Sequence, residues 1–316
     1  MLDILGITGP IYLAIVVGYG ATRAGWFSAE DMRVLGRFVI QLALPALLFI
    51  ALSQRPWREV FHGPYLLAYA LASLGTVLLG LLWSRGSQKQ GLSHSAVMAM
   101  GMACPNSGFV GYPVVLLTLG APVAGVALAL NMIVENLLII PLLLALAEMG
   151  RGSGQRWLPV LRQTLGGLVR NPMIIGIALG AAASVLGWRL PEAAARTVQL
   201  FAQSSAALSL FVIGGSLVGL GGQRLWPAVA RIGIGKLLLH PLLMLAVLTW
   251  LLPLDDPGLR TALLLTTAMP MLGIYTILAQ RHGLQALSSA ALLATTAASF
   301  FTLSALLWLL HAVHWL

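Results

Sequence analysis

The sequence is poor in charged residues. Only 9% of its 316 residues are Asp, Glu, Lys or Arg, whereas 59% are hydrophobic and the mean hydropathy is +0.92. Ordinary soluble domains carry about 25% charged residues, so this chain has too few to cover a water-facing surface. Apolar stretches of about 20 residues recur throughout, and each is long enough to cross a bilayer core of roughly 30 Å. The sequence therefore excludes a soluble fold and predicts an all-α polytopic membrane protein.

Cysteine is also scarce. The single Cys104 excludes a disulfide within the chain, and it stands in an apolar run without neighbouring metal ligands. We therefore predict no metal site and no organic cofactor. The formal net charge of +9 would suggest a nucleic-acid partner for a soluble protein, but here the basic residues occupy short gaps between apolar runs. That placement is typical of cytoplasmic loops of membrane proteins, so no nucleic-acid partner is expected.

Ten membrane spans are predicted. They cover residues 4–22, 35–52, 64–83, 94–118, 122–147, 172–188, 199–220, 230–252, 260–280 and 286–310. All nine tryptophans fall at or near span ends, where aromatic rings lie at headgroup level. About twelve Lys and Arg residues fall in odd-numbered gaps against about five in even-numbered gaps, which predicts cytoplasmic odd gaps and extracytoplasmic termini. The bilayer itself, here a cell inner membrane, is thus the first expected partner.

The chain has the pattern of a duplication. A glycine- and arginine-rich gap over residues 148–171 divides it into halves 1–150 and 151–316 and is predicted to be a cytoplasmic linker. A shift of about 162 residues aligns the halves without gaps. It matches Pro10 with Pro172, Gly18 with Gly180, Gln41 with Gln203, and Leu48-Phe49 with Leu210-Phe211. Because each half has five spans, the second copy enters the membrane from the opposite side, and the repeats are predicted to be inverted.

Spans four and nine are interrupted by proline and glycine at equivalent places. Span four contains Pro105-Asn106-Ser107-Gly108 near its middle, and span nine contains Pro270-Met271-Leu272-Gly273. A proline inside a helix removes a hydrogen bond, and the freed backbone groups cannot face lipid. Matching interruptions in two repeat halves are the best sequence indication of a transport site. Each break also exposes a helix N-terminus whose N–H groups attract an anion. The alternative is a pair of kinks tolerated for packing.

A carboxyl group lies in span five. Glu135 follows Asn131 by four residues, so both side chains are expected on one helical face. A carboxyl group at mid-membrane depth is costly and is usually functional. Asn131 and Glu135 are therefore candidates for binding a coupling Na⁺ or carrying a coupling proton, and Glu135 could instead hydrogen-bond a neighbouring broken helix.

Span eight carries Lys236 and His240, also four residues apart. Lys236 follows Arg231 by about one helical turn, so we expect it to snorkel to the cytoplasmic interface. His240 lies deeper; it could titrate near neutrality or serve as a hydrogen-bonded packing residue. The sequence does not decide whether either residue is functional.

These residues together make the chain resemble the auxin efflux carrier family, which includes plant auxin carriers and bacterial permeases for malate, malonate and related carboxylates. The resemblance covers essentially the whole chain and is strongest at Pro105-Asn106-Ser107, Gly111 and Pro113. It is supported by Ala43-Leu44-Pro45-Ala46-Leu47-Leu48-Phe49, Arg170-Asn171-Pro172, Leu210-Phe211-Val212-Ile213-Gly214 and Ala268-Met269-Pro270. The chain departs from the family pattern at Ala207, where relatives often have proline.

The resemblance implies a scaffold and a mobile transport unit. Scaffold helices one and two (1–62) with the linker and helices six and seven (151–223) would support transport-unit helices three to five (63–150) and eight to ten (224–316). Helices four and nine would cross at their breaks and form the substrate site there. A homodimer is compatible with the resemblance.

The resulting hypothesis is an elevator-type secondary carrier, such as a symporter, for a small organic anion: a mono- or dicarboxylate such as malonate, malate or an auxin-like acid. Its predicted substrate-binding residues are Pro105, Asn106, Ser107, Gly108, Pro270, Met271, Leu272, Tyr275, Gln41 and Gln203. The spans contain no motif of a known intramembrane enzyme, such as a zinc-binding His-Glu-x-x-His helix, so no catalytic residue is expected. An enzyme, a passive channel and a substrate sensor without transport are the alternatives.

Overall fold

The computed structural model describes residues 2–56, 62–87, 89–151, 159, 162, 166–167, 169–219 and 225–313. Regular structure within these ranges is helical, apart from one isolated antiparallel bridge. The helices, in chain order, are α1 (Leu2–Arg23), α2 (Ala29–Ser53), α3 (Gly63–Gly86), α4 (Leu92–Ala103), α5 (Ser107–Leu119), α6 (Ala121–Met149), α7 (Pro172–Leu186), α8 (Glu192–Ser216), α9 (Trp226–Leu251), α10 (Pro257–Ala268), α11 (Tyr275–Gln280) and α12 (Gln285–Ala312). The predicted all-α class is confirmed. Most of the predicted linker lies outside the described residues.

Six of the helices in the described part of the chain are long and apolar enough to cross a membrane: α2, α3, α6, α8, α9 and α12. Two further apolar helices, α5 and α7, are shorter. Many large apolar side chains on the helices are exposed, among them Leu13 of α1, Leu82 of α3 and Leu242 of α9, as expected where lipid replaces water as the solvent. The chain is therefore a polytopic membrane protein.

One helix begins earlier than its apolar pattern indicates. The predicted seventh span starts at residue 199, whereas α8 starts at Glu192, directly after Pro191. The additional turns are polar, and Glu192 forms an exposed ion pair with Arg196 four residues later. Such a pair supports an exposed helical extension that hydropathy alone does not detect.

Widened helical turns precede four prolines inside the helices. Each is a π-helical segment of five residues that starts six positions before a proline: Val39–Ala43 before Pro45, Ser107–Gly111 before Pro113, Glu135–Ile139 before Pro141, and Gly235–Leu239 before Pro241. Leu44, Ile140 and His240 each donate their backbone N–H to the carbonyl five residues earlier. Because proline lacks an N–H and crowds the preceding turn, one wider turn accommodates its ring without ending the helix.

The chain divides into two compact units. Unit 1 consists of Met1–Gly63, Ser107–Met132 and Val169–Gly219, and it contains α1, α2, α5, the first part of α6, α7 and α8. Its helices approach closely at glycines: a Cβ on Gly214 would lie 1.8 Å from the Ile15 carbonyl oxygen, and one on Gly18 would lie 2.1 Å from the Phe211 carbonyl oxygen. Only glycine permits this contact between α1 and α8, so the backbone spacing of unit 1 depends on these positions.

Unit 2 consists of Pro64–Asn106, Ile133–Leu168 and Leu220–Leu316. It contains α3, α4, the second part of α6, and α9 to α12. Here too glycines set the helix spacing, since a Cβ on Gly150 at the end of α6 would lie 2.1 Å from the backbone nitrogen of Ser93 in α4. Helix α4 is buried almost throughout, from Ser95 to Ala103, and it forms the centre of this unit.

The close contact between α1 and α8 leads to a stability prediction. Gly214→Ala should destabilise the protein by roughly 1–3 kcal/mol, because the added methyl group meets backbone rather than a movable side chain. Thermal unfolding of the purified protein in detergent measures this as a lower unfolding temperature. Gly20→Ala in α1, where an added Cβ has no neighbour within 4 Å, is the matched control and should not lower it. Equal unfolding temperatures for both variants would contradict this packing.

Candidate functional site

The helical backbone of unit 2 stops at two places that carry predicted site residues. Helix α4 ends at Ala103, and α10 ends at Ala268. The residues that follow are extended, and an antiparallel bridge joins Pro105 to Met271. Residues 104–106 and 270–272, which we call the paired segments, therefore lie side by side although about 165 residues separate them in the sequence.

Two backbone hydrogen bonds hold the paired segments together. Asn106 donates its N–H to the Pro270 carbonyl oxygen at 2.8 Å, and Leu272 donates its N–H to the Cys104 carbonyl oxygen at 3.0 Å. Each segment thus supplies donors and acceptors that its own helix cannot use. Away from water, an unsatisfied backbone group costs several kcal/mol, so this exchange is what makes two adjacent breaks tolerable.

The side chains at the paired segments are buried, except that of Leu272, which is half-buried. Met271 is fully buried and Asn106 is 4% exposed, so the predicted amide lies inside the protein. Tyr275 at the start of α11 is also buried, and its hydroxyl donates to the Val97 carbonyl oxygen at 3.0 Å. A Cβ on Gly101 would lie 2.9 Å from that hydroxyl. Tyr275 therefore fixes the start of α11 against α4.

A buried carboxyl group lies elsewhere in the same unit. Glu135 is 4% exposed, and one of its oxygens accepts a hydrogen bond of 2.6 Å from the Tyr69 hydroxyl. The Tyr69 ring stacks on the imidazole of His240, with centroids 6.4 Å apart and an angle of 17° between the planes. The carboxyl group predicted from span five therefore contacts α3 through Tyr69, and the Tyr69 ring in turn packs against His240 of α9.

The expectation that Lys236 snorkels to the interface is wrong. Its side chain is fully buried, and its ammonium group donates to the Thr267 carbonyl oxygen at 2.6 Å and lies 3.0 Å from Nδ1 of His240. Thr267 belongs to the last turn of α10, just before the paired segment. The carbonyl end of a helix carries partial negative charge, so it offers a buried ammonium group a partner inside the protein.

His240 is a hydrogen-bonded histidine within this network. Its Nε2 lies 3.2 Å from the Ser73 hydroxyl of α3, while Nδ1 faces Lys236. Ser73, Lys236 and His240 are all buried. We call these residues, with Tyr69, Glu135 and Thr267, the polar network of unit 2.

Sequence reasoning missed Tyr69 and Ser73. Both lie on α3 and are buried there, and their spacing of four residues is the signal that could have found them. The same spacing relates Lys236 to His240, and residues four apart share a helical face. Two helices, α3 and α9, thus each contribute a pair of polar side chains at helical spacing to one interior.

The other predicted site residues belong to unit 1. Ser107 and Asn131 are buried, at 3% and 2% exposure. Gly108 approaches α2 closely, since a Cβ there would lie 3.1 Å from the Leu44 side chain. Gln41 is exposed on α2. The division of the chain therefore assigns Asn131 and Glu135, neighbours on α6, to different units.

Unit 1 contains a cavity of about 670 Å³. Helices α2, α5, α6 and α8 line it with apolar and polar side chains, including Leu47, Arg55, Tyr112, Gln199, Gln203 and Ser205. Gln203 lines this cavity, whereas Gln41 does not; their predicted place on a substrate path stays a prediction. Within the described ranges no three His, Cys, Asp or Glu side chains are grouped so that they could hold a metal ion.

A polytopic membrane protein with buried polar groups has the features of a membrane transporter, and comparison with known proteins identifies the family. A family model described as "Membrane transport protein" matches residues 8–309, and the chain belongs to that family. It is accordingly a membrane transporter and not an enzyme.

Individual relatives narrow this class to the auxin efflux carrier family and confirm the resemblance. A "Putative malonate transporter" of Rhizobium meliloti (strain 1021) is 29% identical over 99% of this chain and 97% of its own length. The "Uncharacterized transporter YfdV" of Escherichia coli (strain K12) is 24% identical over 65% of this chain and 66% of its own. "Auxin efflux carrier component 2" of Arabidopsis thaliana is 28% identical over 36% of this chain and 18% of its own.

The contact between Tyr69 and Glu135 leads to a second stability prediction. Tyr69→Phe removes the 2.6 Å hydrogen bond and leaves a buried carboxyl oxygen without that donor, which should cost about 1–3 kcal/mol. The measurement is the unfolding temperature in detergent. Tyr19→Phe is the control, because the Tyr19 hydroxyl only accepts an exposed hydrogen bond from Arg23. A Tyr69→Phe protein as stable as the control variant would argue against a buried Tyr69–Glu135 bond.

Proposed function

We propose that this transporter is a secondary carrier for a small organic anion, with a dicarboxylate of malonate type as the first candidate. The observation that carries the proposal is the hydrogen-bonded pairing of residues 104–106 with 270–272, where two helices stop inside an apolar chain. The full-length relative whose name refers to malonate supports the choice of substrate.

Anion binding in this proposal uses backbone N–H groups. Helix α5 begins at Ser107, directly after its paired segment, so its first turn presents N–H groups and the positive end of the helix dipole. Helix α11 has only six residues, and its dipole contributes less. Asn106 and Ser107 would add side-chain donors. Together with Pro105, Gly108, Pro270, Met271, Leu272 and Tyr275, these residues would form the substrate site.

The proposed architecture is ten spans in two inverted repeats. Helices α4 with α5, and α10 with α11, would be the broken spans four and nine; the remaining eight helices would be one span each. The repeats, 1–150 and 151–316, would alternate access by an elevator movement of spans three to five and eight to ten against spans one, two, six and seven. Unit 1 contains α1, α2, α7 and α8 together with Ser107–Met132.

Coupling is proposed to involve Glu135, with Asn131 as the second candidate. A buried carboxyl group can bind Na⁺ or carry a proton. Glu135 shares unit 2 with the ammonium group of Lys236, and Lys236 bonds to Thr267 next to the paired segment. A change of charge at Glu135 would therefore act on the same buried network that holds the end of α10. We propose an inner-membrane location with both termini extracytoplasmic.

The substrate site is tested by Asn106→Ala. Purified protein in liposomes should take up labelled malonate, and this variant should abolish the uptake, because the buried amide is lost where the anion is expected to bind. Gln280→Ala removes an exposed amide of the same unit and should leave uptake unchanged. Full uptake by Asn106→Ala would refute the site, and saturable counterflow in the parent protein separates a carrier from a channel.

The coupling role is tested by Glu135→Gln. The amide keeps the shape of the side chain but cannot change charge, so accumulation driven by an imposed Na⁺ or proton gradient should be lost. Exchange of labelled for unlabelled malonate without a gradient should remain within about a few fold of the parent, since it needs no net ion movement. The comparison is made in the same liposomes. Gradient-driven accumulation that survives the substitution would exclude Glu135 as the coupling group.

A further inference from the structure

We propose that the cavity of unit 1 is a carboxylate-binding site in which Arg55 supplies the charge and Gln54, Gln199 and Gln203 supply amide donors. The site is additional to the helix ends at residues 104–108 and 270–275. The inference deepens the proposed function and rests on it for the identity of the ligand, a short aliphatic mono- or dicarboxylate. The proposed binding chemistry follows from the residues that line the cavity.

The cavity carries a net positive charge. Arg55 is the only charged side chain among its lining residues, and the ion pairs found among the described residues do not include Arg55. A guanidinium group presents several N–H donors in a plane and can bind a carboxylate through two parallel hydrogen bonds. An anion entering the cavity therefore meets an arginine that no described carboxylate neutralises.

The backbone of Arg55 is fixed in place. It follows the end of α2, where its N–H donates to the Leu52 carbonyl oxygen at 3.3 Å, and its own carbonyl accepts a hydrogen bond from the Ser184 hydroxyl of α7. The arginine is thus attached to two helices although it lies outside both. A pre-positioned side chain loses less conformational freedom on binding than one on a free loop.

Amide side chains surround the same space. Gln199 and Gln203 are four residues apart on α8, so they project from one face, and Gln54 precedes Arg55 in sequence. All three also line a neighbouring hollow of about 500 Å³ that is more open to the surroundings. Arg196 lines that hollow, but its charge is paired with Glu192. The amides therefore form a polar path that leads toward the charge of Arg55.

The remaining wall suits a short hydrocarbon chain. Leu47, Ile50 and Leu116 also line the cavity, and its volume lies within the range of about 300–1,000 Å³ typical of small-molecule sites. Apolar walls with a single cation and several amides fit a ligand that has a carboxylate on a small aliphatic body. The cavity would thus collect and select organic anions over inorganic ones.

The test measures the local charge and the binding without requiring transport. Ala206→Cys places a thiol in the cavity, whereas the native Cys104 is buried and serves as the unreactive background. The full-length protein in detergent is treated with a negatively charged and a positively charged methanethiosulfonate reagent of similar size. The ratio of the two modification rates should favour the negative reagent. This preference for the negative reagent should fall by about tenfold in Arg55→Gln. It should remain in Arg55→Lys, because it depends only on the positive charge.

Ligand binding is measured in the same experiment. Malonate should slow the modification of Ala206→Cys in a saturable manner, whereas uncharged dimethyl malonate should not, and Arg55→Gln should weaken the protection by at least tenfold. Arg189→Gln is the matched control, since Arg189 is exposed in the same unit and does not line the cavity. It should change neither the rate ratio nor the protection. The proposed site would be overturned if the rate ratio were the same in Arg55→Gln as in the parent, or if malonate did not slow the modification.

Failure of this inference can be told apart from failure of the proposed function. Protection by malonate that persists in Ala206→Cys combined with Asn106→Ala would support a separate cavity site even if malonate uptake were absent. Uptake of malonate by the parent protein without any protection at position 206 would keep the transport function and reject the cavity site.

Discussion

Every feature of unit 2 depends on one constraint: backbone groups freed by a break in a membrane helix need partners that lipid cannot supply. The paired segments meet it by exchange, since Asn106 bonds to Pro270 and Leu272 bonds to Cys104. Each break obtains hydrogen-bond partners from the other, so the two halves of the chain stabilise each other's interrupted helix. Helix α5 begins at Ser107, directly after the first paired segment.

The constraint extends to the charged groups. A buried ammonium group is costly unless it is hydrogen-bonded, and Lys236 meets this requirement at the Thr267 carbonyl oxygen. The bond also occupies a carbonyl in the last turn of α10, where the helix ends. One hydrogen bond therefore supplies a partner both for the buried ammonium group and for a carbonyl oxygen at the end of the helix. Glu135 and His240 lie in the same interior through Tyr69 and Ser73, which places the ionisable groups where they can respond to one another.

Much of this organisation could be predicted from the sequence, because helix-breaking residues and apolar runs are local signals. The ends of α4 and α10 lie near Pro105 and Pro270, where proline and a nearby glycine interrupt the apolar run in both halves of the chain. The direction of the Lys236 side chain does not. It lies within the widened turn before Pro241, which alters the helical register there, and its partner Thr267 comes from another helix. Distance to Arg231 along the sequence is therefore a poor guide to the position of this side chain.

A carrier must release its substrate as well as bind it, and this requirement explains where positive charge is absent. A full cation at the paired segments would hold a dicarboxylate strongly in an apolar interior, because charges attract more strongly where water is excluded. In the proposed site, neutral N–H groups and the Asn106 amide would bind the same anion less strongly than a full cation. Lys236 is in the same unit, but its ammonium group is engaged by Thr267 and His240. The guanidinium group of Arg55, for which the described residues supply no ion-pair partner, lines the cavity of unit 1 instead.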